Sequence, residues 1–125
     1  MAGTMLEKYG RGRLAQLVSS FYGDVLRSSQ LAPYFSDVSI AGLIEHQSRF
    51  LAMVMGGPPA HTGEELVAAH QHFGITNADF DEMLRLLERS LGTFGVDPDD
   101  IAQVISRYRE MEGFVVNPVG GMSNS

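Results

Sequence analysis

Cysteine is absent from the 125 residues. Its absence excludes a disulfide framework, a thiolate nucleophile, a cysteine-rich zinc site and thioether attachment through a C-x-x-C-H motif, so any metal must be held by histidine, carboxylate or backbone. Cations are scarce as well: nine lysines and arginines stand against fifteen aspartates and glutamates, a net charge of −6. The arginines (Arg11, Arg13, Arg27, Arg49, Arg85, Arg89, Arg107, Arg109) are scattered among acids and form no patch, which argues against nucleic acid as a partner. Long apolar runs are missing. No stretch approaches the ~18 apolar residues of a membrane span, and Met1 to Arg13 hold no apolar leader core. The chain is therefore expected to be soluble and cytoplasmic, with no membrane partner. Strand-like alternation and internal repeats are lacking, and no G-x-G-x-x-G follows a strand, so neither a flavin nor a nicotinamide site is expected.

What is present is a period of about 3.6, which makes the class all-α. With 44% hydrophobic residues the chain can build a core of its own, and its length fits one domain. That domain is expected over residues 1–116, with the Gly/Ser/Asn-rich residues 117–125 as a disordered tail. Leu14, Leu17, Val18, Phe21 and Val25 form a first stripe, flanked by Tyr22 and Leu26 and ended by Ser28-Ser29 before Pro33. Ser39 suits the N-cap of a second helix that Gly56-Gly57-Pro58-Pro59 terminates. Thr62-Gly63-Glu64-Glu65 has the form of a capping box for a short third helix. Thr76-Asn77-Ala78-Asp79 opens a longer one with Phe80, Met83, Leu84, Leu87, Leu91 and Phe94 inward. Asp97-Pro98 places a capping acid and a first-turn proline before a last helix lined by Ile101, Val104, Ile105 and Tyr108.

Two polar residues interrupt these stripes. Gln47 sits among Ile40, Leu43, Ile44, Phe50, Leu51 and Val54, where an unpaired buried amide costs roughly 1–3 kcal/mol, so it needs a structural partner or a ligand. His70 sits among Leu66, Val67 and Phe73. That pattern by itself more often means a satisfied half-buried imidazole than a metal ligand, and both readings stay open. His72 points away from that face at about 100° per residue, and His61 lies in a Gly/Pro-rich loop. A zinc site fits poorly, because His70 and His72 splay to different sides of a helix and H-E-x-x-H is absent.

Phe21-Tyr22, Tyr34-Phe35 after Pro33, His46-Gln47, Gly56-Gly57-Pro58, Ala69-His70-Gln71 and Gly74-Ile75-Thr76 resemble, in this order and spacing, the group I truncated haemoglobins. The resemblance runs from about Leu6 to Phe114. It implies a two-over-two helical sandwich in which the B and E helices pack on G and H, with a vestigial A helix and a short F segment carrying the haem ligand. It also implies haem b as cofactor, and dioxygen, nitric oxide and carbon monoxide as ligands.

The family's proximal iron ligand maps onto His70, and its distal donors onto Tyr22 and Gln47. A phenol and an amide suit that task because bound dioxygen gains negative charge, and hydrogen bonds to a charged acceptor are worth roughly 1.5–3 kcal/mol each. Phe35 maps to a haem-stacking phenylalanine. Leu43, Phe50, Leu66, Phe73, Ile75 and Phe80 are the further haem contacts implied, with Leu43 replacing a polar donor of some members. For His46 two roles stay open: the sixth iron ligand of the ligand-free state, as in some members, or a surface histidine near a haem propionate. Members with covalent haem carry the linking histidine near the C-terminal end. The last histidine here is His72, so noncovalent haem is expected. The implied activity is gas binding, with nitric oxide detoxification by an external, unknown electron donor as the leading expectation and gas storage or sensing as the alternative. A monomer or weak dimer is expected.

Overall fold

The computed structural model describes residues 3–60, 63–70 and 73–116. His61, Thr62, Gln71, His72 and the expected tail 117–125 lie outside the described residues, and with Thr62 goes the expected capping box of the third stripe. Among the described residues seven α-helices run in order: α1 (Met5–Tyr9), α2 (Arg11–Arg27), α3 (Ile40–Val54), α4 (Gly63–His70), α5 (Asn77–Thr93), α6 (Pro98–Glu110) and α7 (Glu112–Val115), with one 3₁₀ turn at Ala32–Phe35. There is no strand among the described residues.

Local chemistry sets most of these boundaries. Thr4 and Glu7 form a capping box that starts α1, and Gly10 (φ +83°) turns the chain directly into α2. The Ser39 hydroxyl accepts from the Gly42 amide and starts α3. Thr76 and Asp79 satisfy each other's backbone donors at the start of α5, as their spacing predicts. Asp97 departs from expectation. It occupies the N-cap of α6 in extended backbone, yet its side chain makes no capping bond. Its carboxylate instead meets the Lys8 ammonium at 2.6 Å, a full opposite charge in place of a backbone amide.

The helices stack as two pairs. α2 lies against α3 and α5, α5 against α6, and α3 against α6, giving α2/α3 over α5/α6. Leu14, Leu17, Leu51, Met55, Phe80, Leu91 and Val104 are sealed between the layers. Three polar ties fix the rim. Tyr9 donates to Asp100 at 2.5 Å and accepts from the Asp97 amide at 3.0 Å, joining α1 to α6. Arg107 donates to the Val54 carbonyl at the end of α3. Glu112 accepts from Asn77 at 2.7 Å and pairs with Arg109, which also pairs with Asp81, so α7 is pinned to α5 and α6.

The turn after α3 needs glycine for space. The Gly57 amide donates to the Ala52 carbonyl at 2.8 Å, and a Cβ there would lie 2.8 Å from that same oxygen. α4 stands outside the two layers. It packs chiefly on α7, with the Phe114 ring seated against Gly63 where a Cβ would come within 2.8 Å of it.

Candidate functional site

α4 has eight residues, and one turn of it arranges the chemistry. Leu66 is buried and anchors the helix, while His70 ends it half-buried. His70 Nδ1 lies 2.7 Å from the Leu66 carbonyl oxygen. A carbonyl can only accept, so Nδ1 carries the proton and the lone pair of the neutral ring resides on Nε2. Such a bond fixes both tautomer and ring orientation, the usual outer support of a metal-ligating imidazole. Phe73, just beyond, is 41% exposed and meets Tyr34 edge-on at 6.2 Å.

Across the bundle, α2 and α3 supply a second group of polar side chains. Tyr22, Gln47 and Tyr108 line, with Val18, Leu51 and Leu87, one small cavity of about 20 Å³ where the four main helices meet. Tyr22 is 4% exposed and sits edge-on to Phe21 at 5.1 Å and to Phe35 at 5.9 Å. Burial pushes its pKa upward, so it remains a neutral phenol able to donate. Gln47 thus borders the same space as Tyr22, although the residues come from different helices. The neighbouring His46 is exposed on α3 and does not line this cavity.

The other residues expected at the cofactor divide by burial. Phe35, Leu43 and Ile75 are half-buried and pack at the edge of the core, together with Ile40, Ile44 and Met83. Phe50, Leu66 and Phe80 are buried inside it, Phe50 meeting Tyr108 edge-on at 5.3 Å. Sequence patterning missed one cluster on the rim. Tyr34 donates to one oxygen of Asp79, and Gln30 donates to the other at 2.9 Å. The hydrogen bond to Asp79 pushes the Tyr34 pKa up to about 12, and the same bond holds the Asp79 carboxyl below its ordinary range. The Tyr34 hydroxyl shares the Asp79 oxygen that accepts from the Thr76 amide, while Gln30 takes the other, and the one signal for this in the sequence was a capping carboxylate with acceptor sites to spare.

These residues fit a haem. Half-buried apolar side chains at the edge of the core, such as Phe35, Leu43 and Ile75, suit contact with the flat face of a macrocycle, which would shield them from water. Among the described residues no three histidines or acids converge that could hold a bare metal ion.

The bacterial-like globin family matches residues 4–117 of the chain. A group 1 truncated haemoglobin of Tetrahymena thermophila is 30% identical over 111 residues, 86% of this chain and 92% of that protein. One from Synechocystis is 32% identical over 106 residues, 81% of this chain and 86% of that protein. Among solved structures, the 2/2 haemoglobin of a Synechococcus species, in the cyanomet state with covalently attached haem, superposes with a TM-score of 0.84 at 27% identity, covering 92% of this chain and 99% of that one.

Proposed function

Because the chain belongs to the bacterial-like globins, a family whose members bind diatomic gases at haem, we propose that it holds b-type haem noncovalently and converts nitric oxide and dioxygen to nitrate. The observation that carries this is the pairing of His70, with Nε2 left as the ligating nitrogen, with a Tyr22/Gln47 wall that offers hydrogen-bond donors. When bound, the haem supplies a ferrous site for the gas and one electron per turnover.

Each protein group has a definable task. His70 binds iron through Nε2 while Leu66 keeps the ring in register. Tyr22 and Gln47 donate to the gas where negative charge develops, and the protein around them is already oriented before the gas arrives. Phe35, Leu43, Ile75 and Phe73 hold the macrocycle and exclude water from it. Overall the reaction combines one nitric oxide, one dioxygen and one electron into one nitrate. The sequence carries no flavin or nicotinamide motif, so the electron comes from a separate cytoplasmic reductant. No histidine follows His72, which supports a noncovalent haem in place of the covalent attachment in the Synechococcus protein.

Rapid mixing of the reduced, oxygenated protein with nitric oxide tests the proposal. About one nitrate per haem should form within the mixing time. A colourless purified protein would overturn the haem assignment, and a red protein forming no nitrate would overturn the reaction while leaving gas binding intact.

His46 gives a separate check. As an internal sixth ligand it would require α3 to turn by up to about 100°, the angle between neighbouring residues, which would carry Gln47 off the cavity wall. His46 is exposed on α3, which supports its role as a surface histidine near a haem propionate over that of a sixth ligand, so His46→Ala is expected to leave the rate of carbon monoxide association unchanged in flash photolysis. A tenfold faster rate would mean that His46 occupies the iron when no gas is present.

A further inference from the structure

Tyr108 has no part in the function above, yet it is the third polar residue of the cavity. It lies on α6, 7% exposed, with its ring held edge-on by Phe50 at 5.3 Å. Burial raises its pKa, with the neighbouring Tyr22 adding to the effect, so it too remains a neutral hydroxyl. Among the described residues, neither tyrosine hydroxyl nor the Gln47 amide has a hydrogen-bond partner. Three residues with polar side chains, brought by three helices to one small, mostly apolar cavity, have no protein hydrogen-bond partner there and border space that a solvent molecule can fill.

Size and chemistry suggest what meets it. A cavity of about 20 Å³ exceeds the roughly 10–15 Å³ that one water requires, and three polar partners are the usual number for a buried water. We propose that Tyr108, Tyr22 and Gln47 hold one water between them, and that Tyr108 is a positioning residue which, through this water, aims the two distal donors at the gas. The inference rests on the haem assignment made above.

Donor and acceptor counting shows how. The Tyr108 O–H donates to the water oxygen. The water's two hydrogens go to the Tyr22 oxygen and to the Gln47 carbonyl oxygen. With their acceptor sites occupied, the Tyr22 O–H rotates away from the water and the Gln47 NH₂ faces the remaining open side. Without the water, the phenol rotor and the amide orientation are both undetermined, and either group can turn an acceptor lone pair toward the gas. The water therefore makes donors of two side chains that could equally accept.

The haem-loaded protein as purified provides the test, with Tyr108→Phe, Tyr22→Phe and the double variant compared. Phenylalanine keeps the ring against Phe50, so a purely packing role predicts no change. We expect Tyr108→Phe to shift or split the C–O stretch of the carbon monoxide complex and to speed dioxygen release about two- to tenfold, the value of one neutral hydrogen bond. In the double variant the effects should combine to less than their product, because part of the action of Tyr108 passes through Tyr22. A crystal structure should place one water within hydrogen-bond distance of all three side chains. A dry cavity, an unchanged C–O stretch in Tyr108→Phe, or fully multiplicative effects would each overturn the proposal. Absence of a Soret band in the wild type would instead overturn the haem assignment beneath it.

Discussion

Replacing His70 by leucine is expected to yield a folded helical protein that leaves purification with little or no haem. Removing even the outer hydrogen-bond partner of a metal-bound histidine commonly costs ten- to a hundredfold in affinity, so loss of the ligand itself should exceed about a hundredfold. The Soret absorbance per chain measures the outcome, and circular dichroism verifies that the helices remain. Leucine fills much of the imidazole's volume beside buried Leu66, so a collapsed fold is not expected. An unchanged Soret band and spin state would move the iron ligand to another histidine, His72 first.

The second large effect lies at the cavity lined by Tyr22 and Gln47. Tyr22→Phe and Gln47→Leu each remove a donor while nearly preserving volume, and dioxygen release should accelerate by roughly ten- to a hundredfold in each, corresponding to ~1.5–3 kcal/mol for a hydrogen bond to a charged acceptor. Carbon monoxide gathers less charge and should respond less. Stopped-flow displacement of both gases provides the comparison. Equal acceleration of the two would mean that the substitutions open access and that lost hydrogen bonding is not the cause.

The sequence made legible whatever depends on period and on local capping. The stripes of α2, α3, α5 and α6 follow from spacings of three and four, and the caps at Ser39 and Thr76 follow from the reach of a short side chain to a backbone amide two or three residues on. The resemblance to truncated haemoglobins, carried by an ordered set of short motifs, is matched by the family to which the chain belongs and by the helical arrangement of its solved relatives. Long-range polar choices were hidden. Asp97 could cap its own helix or meet a distant cation, and nothing near it in the chain discloses Lys8, 89 residues away. Tyr34 and Asp79 likewise find each other only once the 3₁₀ turn is laid beside the start of α5.

The site shows the same division. That Tyr108 faces inward is implied by Ile101, Val104 and Ile105, but a periodicity cannot say that it borders the space also lined by Tyr22 and Gln47. The His70 to Leu66 bond, by contrast, spans four residues of one helix and was within reach of spacing alone. Gln47 and His46 are one residue apart, and the helical turn between them separates a cavity wall from the surface.

The seat of α4 on α7 bears on how the protein is made. Chains grow from the amino end, and domains begin to fold in that order. The helices that carry Tyr22, Gln47 and His70 all precede α7 in synthesis, yet α4 gains its main packing surface only when Phe114 reaches Gly63 and Glu112 is gripped by Asn77 and Arg109. The helix that ends in His70 therefore lacks its main packing surface until α7, the last described helix, has been made. On the proposed role of His70, haem capture would then wait for the four residues of α7, close to the end of the described chain.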